Sequence, residues 1–81
     1  MTITQLKYVL AVAEHKNFTL AAEKCFVTQP TLSMQIQKIE EELNIQIFDR
    51  TKKPIQLTDI GQKIVTQAKN IIVWTVIGLV L

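Results

Sequence analysis

A mainly α-helical fold, three helices and a two-stranded hairpin followed by a longer fourth helix, is predicted by three features of this 81-residue sequence. Apolar residues recur three and four apart through residues 6–13, 32–43 and 60–72, the spacing that gives a helix one buried face. Residues suited to helix N-caps stand just ahead of each helix. Past residue 44 the period changes, and two short segments flank a Thr-Lys-Lys-Pro turn.

The composition, 48% hydrophobic and 20% charged, is that of one small globular domain rather than a disordered chain. A domain of this size buries little more than ~60% of the surface it exposes when unfolded, so its core is marginal and a partner subunit helps it. No basic n-region with a following apolar run opens the chain, so no signal peptide is expected. The single Cys25 has no partner for an internal disulfide, which suits a reducing cytoplasm.

Each element follows from its residues. Thr2-Ile3-Thr4-Gln5 has capping-box spacing and starts the first helix, whose buried face is predicted as Leu6, Val9, Leu10 and Ala13. His15 and Lys16 close it where positive charge suits the helix dipole, a plainer role for His15 than metal ligation, since no second ligand cluster exists. Thr19 is the expected cap of a short second helix, with Phe18 as its anchor and Ala21 and Ala22 small enough for another helix to cross closely. Cys25 continues the same inward side and is expected to be a structural thiol.

Phe26-Val27 forms a turn, Thr28 caps the third helix, and Pro30 is tolerated in its first turn. At 100° per residue, Leu32, Ile36, Ile39 and Leu43 make its core stripe. The outer side holds Pro30, Met34, Gln37 and Lys38, flanked by Gln29 and Ser33, and is uncharged except at Lys38. An ordinary solvated face would be rich in Glu and Lys; Gln, Ser, Thr, Pro and Met suit base edges and thymine methyls. The carboxylates Glu40, Glu41 and Glu42 come later, where they would repel phosphate. Residues 19–43 therefore have the form of a DNA-reading helix-turn-helix whose N-terminal half enters the groove.

Segments 45–50 and 55–58 are the predicted strands of a wing. Lys52 and Lys53 at its tip are placed to reach phosphate or the minor groove, and Arg50 either binds phosphate or pairs with an acid of its own chain. The overall charge of +2 is weak evidence for nucleic acid; the distribution is what favours it. Thr58 caps the last helix, in which Ile60, Ile64, Ala68, Ile71 and Ile72 form a stripe that points to dimerisation. The run IIVWTVIGLVL then carries no charge, and Gly78 is expected to interrupt any helix. It is too short for a membrane span, which needs ~20 apolar residues, and reads equally as an interface strip, a strand-like tail or a shallow membrane contact. Residues 1–58 are thus expected to form a winged helix-turn-helix DNA-binding domain and 59–81 a linker helix with an apolar tail.

The motifs VTQPTLSMQIQKIEEEL, IFDR and QLTDIG, in this order and spacing, resemble the DNA-binding end of the LysR-type transcriptional regulators, and AAEKCFVTQPTLS looks most like their peroxide-responsive OxyR branch. The resemblance covers residues 1–70 or so and implies a winged helix-turn-helix with a linker helix that pairs two subunits. It places Thr28, Gln29, Pro30, Thr31, Ser33 and Met34 at the major groove and Lys52 and Lys53 on the wing. Members of the family carry an effector domain beyond the linker helix, which has no counterpart here, and the redox cysteines of the OxyR branch lie in that part.

The expected function is sequence-specific binding of double-stranded DNA as a homodimer on an interrupted palindrome, with no cofactor, metal or membrane partner. The alternative is an interaction module that pairs with full-length regulator subunits and modulates them. Catalysis is not expected: one His and one Cys offer no nucleophile, base and orienter at recognisable spacing, and no glycine-rich phosphate loop is present.

Overall fold

The computed structural model describes the backbone of residues 1–80 and the side chains of residues 1–71. The first helix, α1 (Ile3–His15), starts at the expected capping box, with Gln5 N donating to Thr2 Oγ1 and Thr2 N to Gln5 Oε1. It buries Leu6, Val9 and Val12, while Leu10 and Ala13 are half-buried. Val12 was not on the predicted face. The helix packs against all three other helices, so its apolar stripe is wider than one row.

Helix α2 (Phe18–Lys24) is capped by Asn17, whose Oδ1 accepts Leu20 N at 2.9 Å, and not by Thr19. Asn is among the strongest N-caps and sits here in extended backbone, so the helix begins two residues early and takes Phe18 into its first turn. Its end is a Schellman turn: Val27 N donates to Ala22 O and Phe26 N to Glu23 O, with Phe26 left-handed at φ 58.

Helix α3 (Gln29–Leu43) has Thr28 as its cap, Thr31 N donating to Thr28 Oγ1 at 3.3 Å. Leu32, Ile36 and Ile39 are wholly buried, as expected. Leu43 is not: it is 45% exposed, and Glu40, at 5%, faces inward instead. By angle Leu43 belongs to the stripe, but the chain leaving through Asn44 doubles back over Glu40, whose carboxylate receives Ile47 N and Phe48 N.

Strands β1 (Phe48–Asp49) and β2 (Gln56–Leu57) pair antiparallel, Phe48 opposite Leu57 and Asp49 opposite Gln56. The ladder is shorter than the predicted segments: ahead of Phe48 the chain is held to α3 instead, Ile45 N donating to Glu40 O and Ile47 N to the Glu40 carboxylate.

Helix α4 (Asp59–Val80) starts where Thr58 Oγ1 accepts Gly61 N at 3.0 Å. Its backbone continues through Gly78, contrary to the expected interruption. One glycine costs a helix only ~1 kcal/mol against alanine, too little to break 22 residues. Val65 and Ala68 of α4 are buried, Val65 in the core cluster that also holds Val9, Val12, Ala21, Ala22, Leu32, Ile36, Ile39, Ile47 and Phe48.

Candidate nucleic-acid interface

The core stripe of α3 turns its opposite side to solvent. Thr28, Gln29, Pro30, Met34, Gln37 and Lys38 are exposed there, and Thr31 and Ser33 are half-buried on its edges. Local hydrogen bonds order this face. Thr28 Oγ1 donates to Thr31 Oγ1 at 2.8 Å, and Gln29 Nε2 donates to Ser33 Oγ at 2.8 Å. Further along, Gln37 Nε2 donates to Glu41 Oε1 at 3.3 Å. From Thr28 to Met34 the surface carries donors, acceptors and apolar groups without a formal charge. The exposed carboxylates Glu41 and Glu42 lie past it at the C-terminal end.

Glu40 is separate from these two acids. Its Oε2 accepts Ile47 N at 2.7 Å and Phe48 N at 3.4 Å, and its Oε1 accepts Arg50 Nη2 at 3.1 Å. The Arg50 guanidinium also lies 5.0 Å above the centroid of the Phe18 ring, which meets Phe48 edge to face at 6.0 Å. Of the two roles open to Arg50, the structure shows pairing with an acid of its own chain. Glu40 and Phe18 were missed as its partners because ion pairs between separate elements leave no periodic signal.

Gln5 and Gln35 were missed for the same reason. Gln5 Nε2 donates to Gln35 Oε1 at 3.0 Å, joining the capping box of α1 to the middle of α3. Lys52 and Lys53 stand exposed on the wing tip. Below them Thr51 donates to the Asp49 carboxylate through both its hydroxyl and its amide, which hold that carboxyl below its usual range. Cys25 is half-buried, and desolvation pushes its thiol up, away from reactivity.

On α4, Ile60 and Ile71 are exposed, and Ile64 is half-buried against the core. Ala68, also on the predicted stripe, is 1% exposed and packs inside the fold. The side chain of Ile72 lies outside the described residues, as do the side chains of residues 73–81. Among the described residues no helix is long and apolar enough to cross a membrane, and no group of three or more His, Cys, Asp or Glu is placed to hold a metal ion.

A three-helix unit with a carboxylate-free outer face on α3 and a two-lysine wing matches a known family pattern. Residues 3–62 fit the bacterial regulatory helix-turn-helix proteins of the lysR family. The chain belongs to that family. It is 43% identical over 72 residues to the DNA-binding transcriptional dual regulator OxyR of Escherichia coli K12, a match covering 89% of this chain and 24% of that protein. It is 46% identical over 61 residues to the regulator BenM of Acinetobacter baylyi, covering 75% of this chain and 20% of BenM. The chain thus spans about a quarter of the length of the curated relatives it matches.

Among solved structures, the BenM DNA-binding domain in complex with a benA site superposes with a TM-score of 0.90 at 36% identity, covering 99% of this chain and 92% of that one. Vibrio fischeri DarR in complex with DNA gives 0.91 at 33%, over 98% of this chain and 27% of that one. Full-length OxyR C199D from Pseudomonas aeruginosa gives 0.86 at 43%, over 93% and 25%. The fold of this lysR-family chain is therefore the winged helix-turn-helix of these regulators, and its relatives are transcription regulators.

Proposed function

We propose that this chain is the DNA-reading part of a bacterial transcription regulator, binding an interrupted palindrome in double-stranded DNA as a dimer. The observation that carries the reading is the outer face of α3, ordered and free of carboxylate from Thr28 to Met34, in a family whose members have been solved on DNA. Gln29, Pro30, Ser33 and Met34 read base edges, with Thr28, Thr31, Gln37 and Lys38 along the groove walls. Lys52 and Lys53 meet phosphate or the minor groove. Residues 1–58 act as the reading unit and 59–81 as the linker that pairs subunits, Ile60, Ile64 and Ile71 supplying apolar contact. The role is non-enzymatic and belongs in the cytoplasm, at the nucleoid.

Two substitutions, assayed on a duplex selected from a randomised pool, test it. Gln29→Ala relaxes preference at one base pair of each half-site, costing ~1–3 kcal/mol there if the contact is bidentate. Lys53→Ala weakens selected and scrambled duplexes by the same factor and flattens the salt slope by ~0.9 per subunit, hence ~1.8 for the dimer. If Gln29→Ala leaves the selected sequence unchanged, α3 is not the reader.

A further inference from the structure

Resting on that reading, we propose that Glu40 and Arg50 are positioning residues: they clamp the wing to the reader helix so that the lysine tip and the α3 face meet one duplex in fixed register. The wing needs such a device. Its ladder is only two residue pairs long, and a two-stranded ribbon of that length has little stability of its own. Its tip, from Thr51 to Pro54, is exposed throughout.

Ile47 and Phe48 pack into the core beside Ile36 and Ile39, and the side-chain hydrogen bonds from the ribbon to α3 converge on one carboxylate. Glu40 receives the amide just ahead of β1, the amide of its first residue and the guanidinium that follows the strand. Arg50 in turn lies across Phe18 of α2, so the clamp spans both helices of the helix-turn-helix and the wing base. Lys52 and Lys53 follow within three residues, at most roughly 10 Å of extended chain away. An angular error at the clamp is therefore carried directly to the tip. A planar guanidinium suits this better than an ammonium, because it bonds the carboxylate edge-on while stacking on the ring.

A double-mutant cycle tests the clamp on the full 81-residue chain. Affinity and salt slope on the selected duplex are measured for the wild type, Glu40→Gln, the Lys52→Ala/Lys53→Ala pair, and all three together. Loss of the clamp alone is expected to lower affinity at least about threefold and to bring the salt slope toward that of the lysine pair. In the lysine-less background the same change adds nothing. An equal loss in both backgrounds, the result of a protein merely less folded, overturns the proposal, and so does no loss in either.

If Glu40→Gln does not fold, as checked by circular dichroism, Arg50→Gln carries the cycle, since it leaves Glu40 bonded to Ile47 and Phe48. A loss from Arg50→Gln that is equal in both backgrounds would make Arg50 a direct phosphate contact and overturn positioning. The wild-type preference for selected over scrambled duplex is read separately. A failed cycle with that preference intact removes the clamp alone, and an absent preference removes the reading of base recognition.

Discussion

Gly61 leaves no room for a side chain. A Cβ built there would stand 2.1 Å from Ile47 O, a backbone atom that cannot swing aside. Gly61→Ala therefore pushes α4 off the wing base, and thermal unfolding is expected to show a loss of about 1–3 kcal/mol. Asn17 and Thr19 make a sharper pair. Asn17→Ala removes the cap of α2 and costs ~1 kcal/mol, whereas Thr19→Ala, at an exposed position with no capping role, stays within about 0.5 kcal/mol of wild type. Phe26 goes the other way. It holds a left-handed φ of 58 while 95% exposed, so Phe26→Gly removes backbone strain and loses no packing; after the entropy that glycine adds to the unfolded chain is offset, stability is expected to rise by roughly 0.5 kcal/mol.

The wing has a pH response of its own. Because the hydroxyl and amide of Thr51 stabilise the charged form of Asp49, its folded pKa lies below the unfolded value. The contribution is present above the unfolded carboxyl range and lost as pH falls through the folded value. An NMR titration of Asp49 should show that low value, and Thr51→Val should move it back up. Elements differ in how openly the sequence declared them. The caps at Thr2, Thr28 and Thr58 and the outer face of α3 were legible because each depends on residues three or four apart. The Glu40–Arg50 pair, ten residues apart, and the Gln5–Gln35 pair, thirty apart, were not, because only the packed fold brings them together. Leu43 shows the limit of periodicity: it has the angle of a core residue but no layer left to cover it.

At the scale of the molecule, α4 keeps Val65 and Ala68 for its own subunit and leaves Ile60 and Ile71 outward. An interface built on these should appear as a dimer in sedimentation at micromolar concentration. Ile60→Lys is expected to shift it toward monomer and to weaken a two-half-site duplex more than a single half-site. A change that weakens both equally would place Ile60 outside the interface.

The central claim, that the Thr28–Met34 end of α3 selects a DNA sequence, is tested most directly by the affinity of the chain for a selected palindromic duplex against its scrambled counterpart across a salt series. The two should weaken together as salt rises, because phosphate contacts are common to both, while their ratio stays well above one at every concentration. A ratio of one throughout would contradict the claim and leave only a basic surface that binds any duplex.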